Sequence, residues 1–517
     1  MRLNILIGGK AGQGINKVSE IVSRVLSECG YFTFNYRDYP SLIRGGHNFN
    51  VLCVGDSRVG SVDSVLDVIL ALDENTLKVH EGELVPKGVP SREGKREEVV
   101  ISFEKFAKDD LGRNLNIALA GCLCSVLGIE KDVLIRVIKE ELDFPETIAA
   151  AEKGFESCEK KFDLKKLNNK IKIKSGSVAV AEGAVDSGIN LYVAYPMTPA
   201  TGVMNNLAGF QNDNLKVFQA ENEIAVVNIG LGASFAGKRV MVGSSGGGFD
   251  LMSEGLSLQG ISEIPLVVYL AARPGPGTGV PTYTTQGDLD IALRAGHGEF
   301  PRVVVAPGDP VECVEKTNEA FYLAEKFKTL AIVLSDKHLA ESEFSFDNSA
   351  HKVLKVEIKR DVPGKKIVKA SSYEHDEFGN TVEGPEITKK NAEARLKKYE
   401  DIKKECKNFE MVKIFGNKNS KNLVIGWGST KGAILDAISG IDCKFLQVLY
   451  MKPLSDEIKK EIEKVEKVVL VENNVTGQLG RLIREKTGIK IENRILKYDG
   501  RPFWGDELRD RLEGVLG

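Results

Sequence analysis

The sequence lacks several patterns that mark metal, cluster and membrane proteins. Its eight cysteines are scattered and form no C-x-x-C pair, which argues against an iron–sulfur cluster or a structural zinc ion in this chain. The six histidines contain no H-x-x-x-H pair, so no metal site is expected. No apolar run reaches the ~18 residues that a membrane-spanning helix needs. We therefore expect reduced, mostly buried thiols, as in a reducing compartment.

An excess of charge of one sign is also missing. The 70 Lys and Arg residues nearly balance the 73 Asp and Glu residues, for a formal net charge of -3. This balance argues against nucleic-acid binding and against a polybasic membrane anchor. The N-terminus runs directly into a strand-like segment and a glycine turn, so no cleavable signal is expected. The composition predicts a cytoplasmic enzyme or enzyme subunit.

The length of 517 residues and the hydrophobic content of 42% allow several domains, each with its own core. Alternating strand and helix patterns predict three α/β domains. Their predicted bounds are 1–165, 175–345 and 416–517, and the charged segment 346–415 is predicted to be a linker that ends in a helix over 389–407. Residues 152–170 are a second predicted solvated linker, and the segment from Arg501 onward is expected near the surface.

A glycine-rich loop, Gly8 to Gly14, lies between the first strand and a helical pattern. Such a loop can aim backbone N–H groups at an anion. Its spacing is neither G-x-G-x-x-G nor the Walker pattern. A phosphate- or partner-binding loop and a tight turn between strand and helix are equally compatible with it. The candidate binding residues are Gly9, Gly12, Gln13 and Gly14, with Arg44 from the following glycine-rich stretch.

The sequence AYPMTPATG, from Ala194 to Gly202, follows a strand-like run. Pro196 and Pro199 exclude a helix interior and favour an extended, stiff loop. That loop would present Tyr195 and Thr198 in fixed directions. An ordinary proline turn is the alternative.

A helix is predicted to begin near Glu223. Glu223, Val226, Val227 and Gly230 share one helical face. If Glu223 points inward with the apolar residues, burial favours its protonated form. Otherwise it complements the helix dipole, a role that Glu221 fits well.

Two further stretches indicate a binding site. GSSGGGFD, from Gly243 to Asp250, follows a short strand and allows a close approach of the backbone. The long loop from Ala272 to Leu289 follows a buried strand and contains one cation, Arg273. Long loops at strand ends of α/β domains are where ligands usually bind.

These stretches together resemble the 2-oxoacid:ferredoxin oxidoreductases, in the form in which a gamma domain precedes the alpha domain. YPMTP is similar to the family motif YPITP, with Met197 in place of isoleucine. ENEIA at Glu221 to Ala225 and SSGGGFDLMSE, with Gly247 in place of proline, are similar to two further motifs. The matching segments also include RPGPGTGVPTYTTQGDL, HGEFPRVVVAPGD, HDEFGN, ENNVTGQLG, DGRPF and, at the N-terminus, GGKAGQG and PSLIRGG.

The resemblance implies a fold and an activity. The second domain would be of the pyrimidine-binding type of thiamine diphosphate enzymes, and the third would be transketolase C-terminal-like. The activity would be coenzyme A-dependent oxidative decarboxylation of a 2-oxoacid, with electrons passed to ferredoxin. Glu223, Thr198 and Arg273 would be catalytic. Tyr195, Pro196, Thr198, Arg273 and Thr278 would bind substrate, and Glu223 with Ser245, Gly246, Gly247 and Gly248 would bind the cofactor.

The chain lacks one part of such a site, because no G-D-G occurs in it. The resemblance therefore implies a beta subunit that carries the diphosphate, the magnesium ion and an iron–sulfur cluster, in a dimer of heterodimers. The glycine loop of the first domain would contribute to coenzyme A binding or to assembly. A thiamine-dependent lyase that acts alone and a non-catalytic paralogue are the alternatives. The sequence leaves the identity of the 2-oxoacid open.

Overall fold

The computed structural model describes residues 1–42, 45–84, 90–91, 94–95, 99–347, 352–361, 363–369 and 371–517. The chain divides into two compact units. The first unit contains Met1–Lys174, Ser342–Ser349 and Trp504–Asp510, and the second contains Ser175–Glu341, Ala350–Phe503 and Arg511–Gly517. None of the described helices is long and apolar enough to cross a membrane.

The N-terminal elements, in chain order, are β1 (Arg2–Gly9), α1 (Ile15–Glu28), β2 (Phe32–Asp38), β3 (Asn48–Gly55), β4 (Val68–Ala71), α2 (Glu74–His80), β5 (Pro90–Ser91), β6 (Gly94–Lys95), β7 (Val99–Ser102), α3 (Leu115–Val126), α4 (Lys131–Leu142), α5 (Pro145–Glu156) and β8 (Lys172–Ser175).

The central elements are α6 (Gly176–Asp186), β9 (Leu191–Ala194), α7 (Thr201–Gly209), β10 (Lys216–Gln219), α8 (Glu223–Phe235), β11 (Val240–Ser244), α9 (Gly246–Leu251), α10 (Ser253–Ser262), β12 (Leu266–Ala272), α11 (Leu289–Arg294), β13 (Arg302–Val305), α12 (Pro310–Phe327), β14 (Leu330–Asp336), α13 (Lys337–Glu341) and β15 (Glu343–Phe346).

The C-terminal elements are α14 (Pro385–Cys406), β16 (Val412–Gly416), β17 (Asn422–Trp427), α15 (Thr430–Ala437), β18 (Lys444–Val448), β19 (Tyr450–Lys452), α16 (Glu457–Ile462), β20 (Lys467–Glu472), α17 (Gln478–Thr487), β21 (Asn493–Leu496) and α18 (Gly505–Leu516).

The first unit is built on a seven-stranded sheet of order β7-β4-β1-β3-β2-β15-β8. Helix α1 covers this sheet with the apolar residues that recur at helical spacing, and Val18, Ile21 and Val22 are buried. The helix ends where Gly30 takes a φ of 83°, a left-handed conformation that glycine adopts readily. The predicted strand, glycine turn, helix and strand at the N-terminus are therefore present.

Two predictions about the first unit need correction. The linker predicted over 152–170 is shorter than expected, because α5 continues to Glu156; residues 157–170 have no helix or strand and are mostly exposed, but Leu164 is buried in the core. The main-chain N–H of Leu164 donates to the carbonyl of Leu127, so this segment packs beside α3. Cys122 and Cys158 form a disulfide, so they are not reduced thiols. The other six cysteine side chains are buried, as expected.

The second unit contains a seven-stranded sheet of order β10-β9-β11-β12-β14-β13-β19. Strands β9 to β14 are parallel, and β19 pairs with β13 in the antiparallel direction. Strand β12 is buried along its whole length, which explains its continuous apolar sequence. Because β9, β11 and β12 are neighbours, the loops that follow them leave the same carboxyl edge of the sheet.

A third sheet, of order β16-β18-β17-β20-β21, lies in the same unit. The sequence divides this region into two domains, and the structure groups both in one compact unit. Strand β16 begins at Val412, inside the segment predicted to be a linker. Within that segment, Leu354 N–H donates to Asn318 at 2.7 Å, and Arg360 pairs with Glu325 at 2.8 Å. The predicted domain bounds stay a prediction.

The ends of two predicted segments also differ from expectation. Strand β15 crosses the domain bound that was predicted between residues 345 and 346. It belongs to the first unit, where it pairs with β2. The C-terminal segment was expected near the surface, but Phe503, Leu508 and Leu512 are buried. Leu508 and Leu512 are one helical turn apart and therefore lie on one face of α18. The charged residues around them make this apolar face difficult to recognise in the sequence.

Candidate active site

The loop after β9 is extended only in its first half. Residues 195–197 have no regular structure, and 198–200 form a turn in which Ala200 N–H donates to the carbonyl of Met197 at 2.9 Å, before α7 begins at Thr201. The main-chain carbonyl of Thr198 accepts a hydrogen bond from Nη1 of Arg273 at 2.9 Å. Since Arg273 follows β12, this bond joins two loops of the carboxyl edge. The resemblance implies a substrate-binding role for Thr198, and the structure adds a contact through its carbonyl oxygen.

Glu223 points into the protein. Glu223 is only 2% exposed. It is the first residue of α8, and Val226 and Val227 lie on the same buried face of that helix. Glu223 therefore points inward, as its spacing predicts, and it also lies in the first turn of α8, where its charge complements the helix dipole, whereas Glu221 is exposed. The N-cap role belongs to Asn222, whose side chain accepts a hydrogen bond from Ala225 N–H.

The Glu223 carboxylate has a specific setting at the end of β11. Its Oε1 accepts a hydrogen bond from the Ser244 hydroxyl at 3.0 Å. A Cβ atom on Gly248 would lie 2.2 Å from the same oxygen, so only glycine leaves room for the carboxylate. The Ser244 Oγ also lies 4.0 Å from Sδ of Met197, which brings the YPMTP loop to this carboxylate.

The glycine-rich stretch after β11 is helical, which the sequence did not indicate. Helix α9 begins at Gly246 and continues to Leu251, and α10 follows. The Ser245 hydroxyl is buried and has no hydrogen-bond partner among the described residues. A buried hydroxyl without a partner costs free energy unless a ligand satisfies it, so Ser245 fits a ligand-binding position.

Arg273 lies near two carboxyl groups. Burial lowers the pKa of its guanidinium, and the negative charges of Asp288 and Glu223 oppose that shift. Burial raises the pKa of Asp288 to about 7, with a further contribution from Asp250, and Arg273 acts in the other direction. In the described part of the chain, Arg273 forms no ion pair within 4.0 Å, so its charge is available to an anion.

The long loop after β12 is fixed by contacts with the third sheet. The Gln286 side chain donates to the carbonyl of Trp427 at 2.7 Å and accepts from Asn473 N–H at 2.9 Å. The Gln286 main-chain N–H donates to the Asn473 carbonyl at 2.6 Å. These bonds hold both the side chain and the backbone of one residue, so this part of the loop is positioned rigidly.

The structure therefore brings together part of the predicted site. Thr198, Arg273, Glu223 and Gly248 belong to one cluster, and Ser245, Gly246 and Gly247 line the turn that leads to it. The side chains of Tyr195 and Thr278 are exposed and form no hydrogen bond with this cluster among the described residues. Their roles, like that of Pro196, stay predictions.

Two residues of the cluster were missed as site residues. Ser244 lies inside a recognised motif, and its position as the last residue of β11 was the available signal. Asp288 follows Gly287 in the long loop. Only its burial and the charged groups near it, Asp250 and Arg273, identify it as a site residue.

The candidate loop of the first unit is closed by its own residues. Gln13 Oε1 accepts from Lys10 N–H at 2.6 Å, and Gln13 Nε2 donates to the Leu72 carbonyl at 3.3 Å. Gly14 takes a φ of 82° immediately before α1. These contacts favour the interpretation as a tight turn. Arg44, the fifth candidate, lies outside the described residues.

Comparisons with known proteins identify the family. A family model described as pyruvate flavodoxin/ferredoxin oxidoreductase, thiamine diphosphate-binding, matches residues 182–411. A second, described as pyruvate ferredoxin/flavodoxin oxidoreductase, matches residues 4–157. The alpha subunit of the 2-oxoacid:ferredoxin oxidoreductase of Saccharolobus solfataricus is 30% identical over 621 aligned residues, which cover 100% of this chain and 98% of that relative. The chain belongs to the 2-oxoacid:ferredoxin oxidoreductase family.

Two further matches agree with this family. The 2-oxoglutarate synthase subunit KorA of Archaeoglobus fulgidus is 30% identical over 351 residues, covering 66% of this chain and 98% of KorA. A solved 2-oxoglutarate:ferredoxin oxidoreductase from Magnetococcus marinus, with 2-oxoglutarate, coenzyme A and succinyl-CoA bound, matches with a TM-score of 0.89 at 25% identity and covers 100% of both chains. The predicted family and α/β fold class are confirmed.

Proposed function

We propose that this chain is the fused gamma–alpha subunit of an enzyme that decarboxylates a 2-oxoacid oxidatively to an acyl-CoA and CO2, with electrons passed to ferredoxin. The observation that carries the proposal is the cluster at the carboxyl edge of the second sheet. It combines a buried carboxylate, Glu223, with a cation, Arg273, which forms no ion pair within 4.0 Å with any residue that the structure describes. The subunit naming of the relatives and the family match support the same reading.

The residues fit the pyrimidine end of thiamine diphosphate. The buried, unpartnered Ser245 hydroxyl and the glycines of α9 leave polar groups and backbone open to a ligand. When bound, thiamine diphosphate supplies the carbon nucleophile for the 2-oxoacid carbonyl. Glu223 would hold a proton at a pyrimidine nitrogen, and Ser244 fixes the orientation of that carboxylate through its hydrogen bond.

Arg273 would bind the carboxylate of the 2-oxoacid. A guanidinium can donate two parallel hydrogen bonds to a carboxylate, which fixes the position and the orientation of the acid. The bond from Arg273 to the Thr198 carbonyl holds the guanidinium against the YPMTP loop. Thr198 would donate its hydroxyl to the substrate, with Tyr195, Pro196 and Thr278 as further substrate contacts.

A partner would complete the site. We propose a beta subunit that carries the diphosphate, the magnesium ion and an iron–sulfur cluster, in a cytoplasmic dimer of heterodimers. The absence of G-D-G from the sequence supports this division. Among the described residues, no group of His, Cys, Asp or Glu is placed to hold a metal ion. The loop of Gly9, Gly12, Gln13 and Gly14 would contact coenzyme A or a partner only if its turn opens.

The test compares this chain alone with the chain co-expressed with a family beta subunit. Reduction of a viologen dye is measured with coenzyme A and, in turn, pyruvate, 2-oxoglutarate and branched 2-oxoacids. We expect turnover only with the partner. Turnover by the isolated chain would instead support a lyase-type site complete in one chain. No turnover by an assembled complex with any of these acids would support a non-catalytic paralogue.

A further inference from the structure

Asp288 lies against the turn that follows β11. A Cβ atom on Gly246 would lie 2.4 Å from its Oδ2 and 2.9 Å from its Cγ, so the carboxyl group occupies the space that a larger residue there would fill. Its Oδ2 is buried and has no hydrogen-bond partner among the described residues. Since a buried oxygen normally finds a partner, this one is open to a group that the chain does not provide.

Helix capping does not explain the position of the Asp288 side chain. Asp288 precedes α11, but its side chain accepts no hydrogen bond from the N-terminus of that helix. By contrast, Asp309 caps α12 by accepting a hydrogen bond from Glu312 N–H at 2.9 Å, and Asp73 caps α2 through Thr76 N–H at 3.0 Å. The Asp288 carboxyl group therefore does not cap α11 and lies instead against the turn that follows β11.

The backbone around Asp288 is held from both sides. Gln286 is bonded to Trp427 and Asn473, as described above. Gln478 donates to the carbonyl of Gly287 at 2.7 Å and accepts from Asp290 N–H at 3.3 Å. With its preceding and following residues fixed, the direction of the Asp288 side chain is a stable feature of the fold.

The charged groups that face Asp288 are Asp250 from α9 and Arg273 from the loop after β12. Glu223 of α8 faces Arg273 in turn. Arg273 and Asp288 influence each other's pKa in opposite directions, yet they form no ion pair within 4.0 Å among the described residues. Burial and the repulsion of Asp250 raise the pKa of Asp288 to about 7, so near neutral pH it exchanges between its two charge states.

We propose that Asp288 determines when the site accepts a 2-oxoacid: the substrate carboxylate binds at Arg273 together with one proton, which Asp288 holds. A carboxylate at Arg273 and an ionised Asp288 would repel each other in a half-buried site, so substrate binding favours the form in which one of the two is neutral. The substrate is the stronger acid, and therefore the proton is on Asp288. This inference rests on the proposed role of Arg273 in substrate binding.

The test measures KM for the 2-oxoacid from pH 6 to pH 9 with the assembled complex at saturating coenzyme A. For the wild type, KM should rise about tenfold per pH unit above about pH 7, because binding then requires uptake of a proton. The effect should appear in KM and not in kcat. In Asp288→Asn, which is neutral at every pH, the rise should be absent.

The matched control is Asp290→Asn in the first turn of α11. Asp290 is partly exposed and pairs with Arg481, and it is not among the groups that shift the pKa of Arg273. This variant should keep the slope of the wild type. A wild-type KM that does not change with pH, or an Asp288→Asn variant with the wild-type slope, would overturn the inference while the proposed function stands. Absence of any 2-oxoacid turnover by the wild-type complex would overturn the proposed function and this inference with it.

Discussion

Two glycine-rich junctions between a strand and a helix occur in this protein, and they differ in one respect. In the first unit, the turn between β1 and α1 is closed by Gln13, which bonds to Lys10 N–H and to the Leu72 carbonyl. In the second unit, the turn between β11 and α9 leaves the Ser245 hydroxyl and Asp288 Oδ2 buried without partners among the described residues. Both sequences look equally suited to bind an anion.

The difference shows what glycine is used for in each place. At the first junction, glycine allows the chain to take the left-handed conformation at Gly14 before a helix. At the second, Gly246 and Gly248 make room for two carboxyl groups, those of Asp288 and Glu223. Polar groups that the chain leaves unsatisfied, and not the number of glycines, therefore distinguish the candidate site from a structural turn.

The largest expected effect comes from Glu223→Gln at the second junction. We expect turnover of the assembled complex to fall by about 10²- to 10⁴-fold, because the amide cannot hold and release a proton at the pyrimidine. The measurement is viologen reduction with coenzyme A, together with the oligomeric state of the complex, which should not change. Glu221→Gln is the control, because Glu221 is exposed. Loss of turnover in the control alone would assign the proton-holding role to Glu221.

Gly248→Ala should reduce turnover by about 10²-fold with the fold retained. The added methyl group would lie 2.2 Å from Glu223 Oε1 and 2.1 Å from Ser244 Oγ, so it must displace the carboxylate. Gly232→Ala on α8 is the matched control. Apart from the backbone of its own helix, no heavy atom of the described residues lies within 4 Å of its added Cβ atom, so the variant should stabilise the helix by up to about 1 kcal/mol and leave turnover unchanged. Equal activity of both variants would contradict the proposed role of the carboxylate.

Asp288→Asn should raise the free energy of unfolding at pH 8 by up to about 4 kcal/mol and change it little near pH 4. The folded-state pKa of Asp288, about 7, exceeds the ordinary value of 3.8. The free energy of unfolding of the wild type therefore falls as pH rises between these values, and the amide avoids that loss. Thermal unfolding of both proteins across this range is the measurement. A stability difference that is the same at pH 4 and pH 8 would exclude titration of Asp288 as the cause.

The smallest effect is expected at the first junction. Gln13→Ala removes two hydrogen bonds that close the turn and should destabilise the first unit by about 1 kcal/mol. If the loop is only a turn, KM for coenzyme A should not change. Chemical unfolding and coenzyme A titration of the assembled complex measure the two quantities. A selective rise in this KM would make the first junction a binding loop after all and remove the contrast with the second.

Much of the fold could be predicted because its elements have strong local patterns. The inward direction of Glu223 followed from its spacing to Val226, Val227 and Gly230, and the burial of all four residues confirms it. The prolines at 196 and 199 excluded a helix interior for similar local reasons, although the chain forms a turn over 198–200. By contrast, the packing of Leu164 beside α3 and the disulfide between Cys122 and Cys158 depend on contacts between distant segments.

What the sequence determined by itself is the series of strands and helices, the family, and the identity of Glu223, Thr198 and Arg273 as candidate residues. Periodicity and turn chemistry act over a few residues, so they can be recognised along the chain. What only the tertiary structure decided is which groups face one another. Asp288 is 65 residues from Glu223 in sequence, and its meaning depends on Gly246, Arg273 and Asp250 around it. Burial and electrostatic interactions arise between segments, and no local pattern records them.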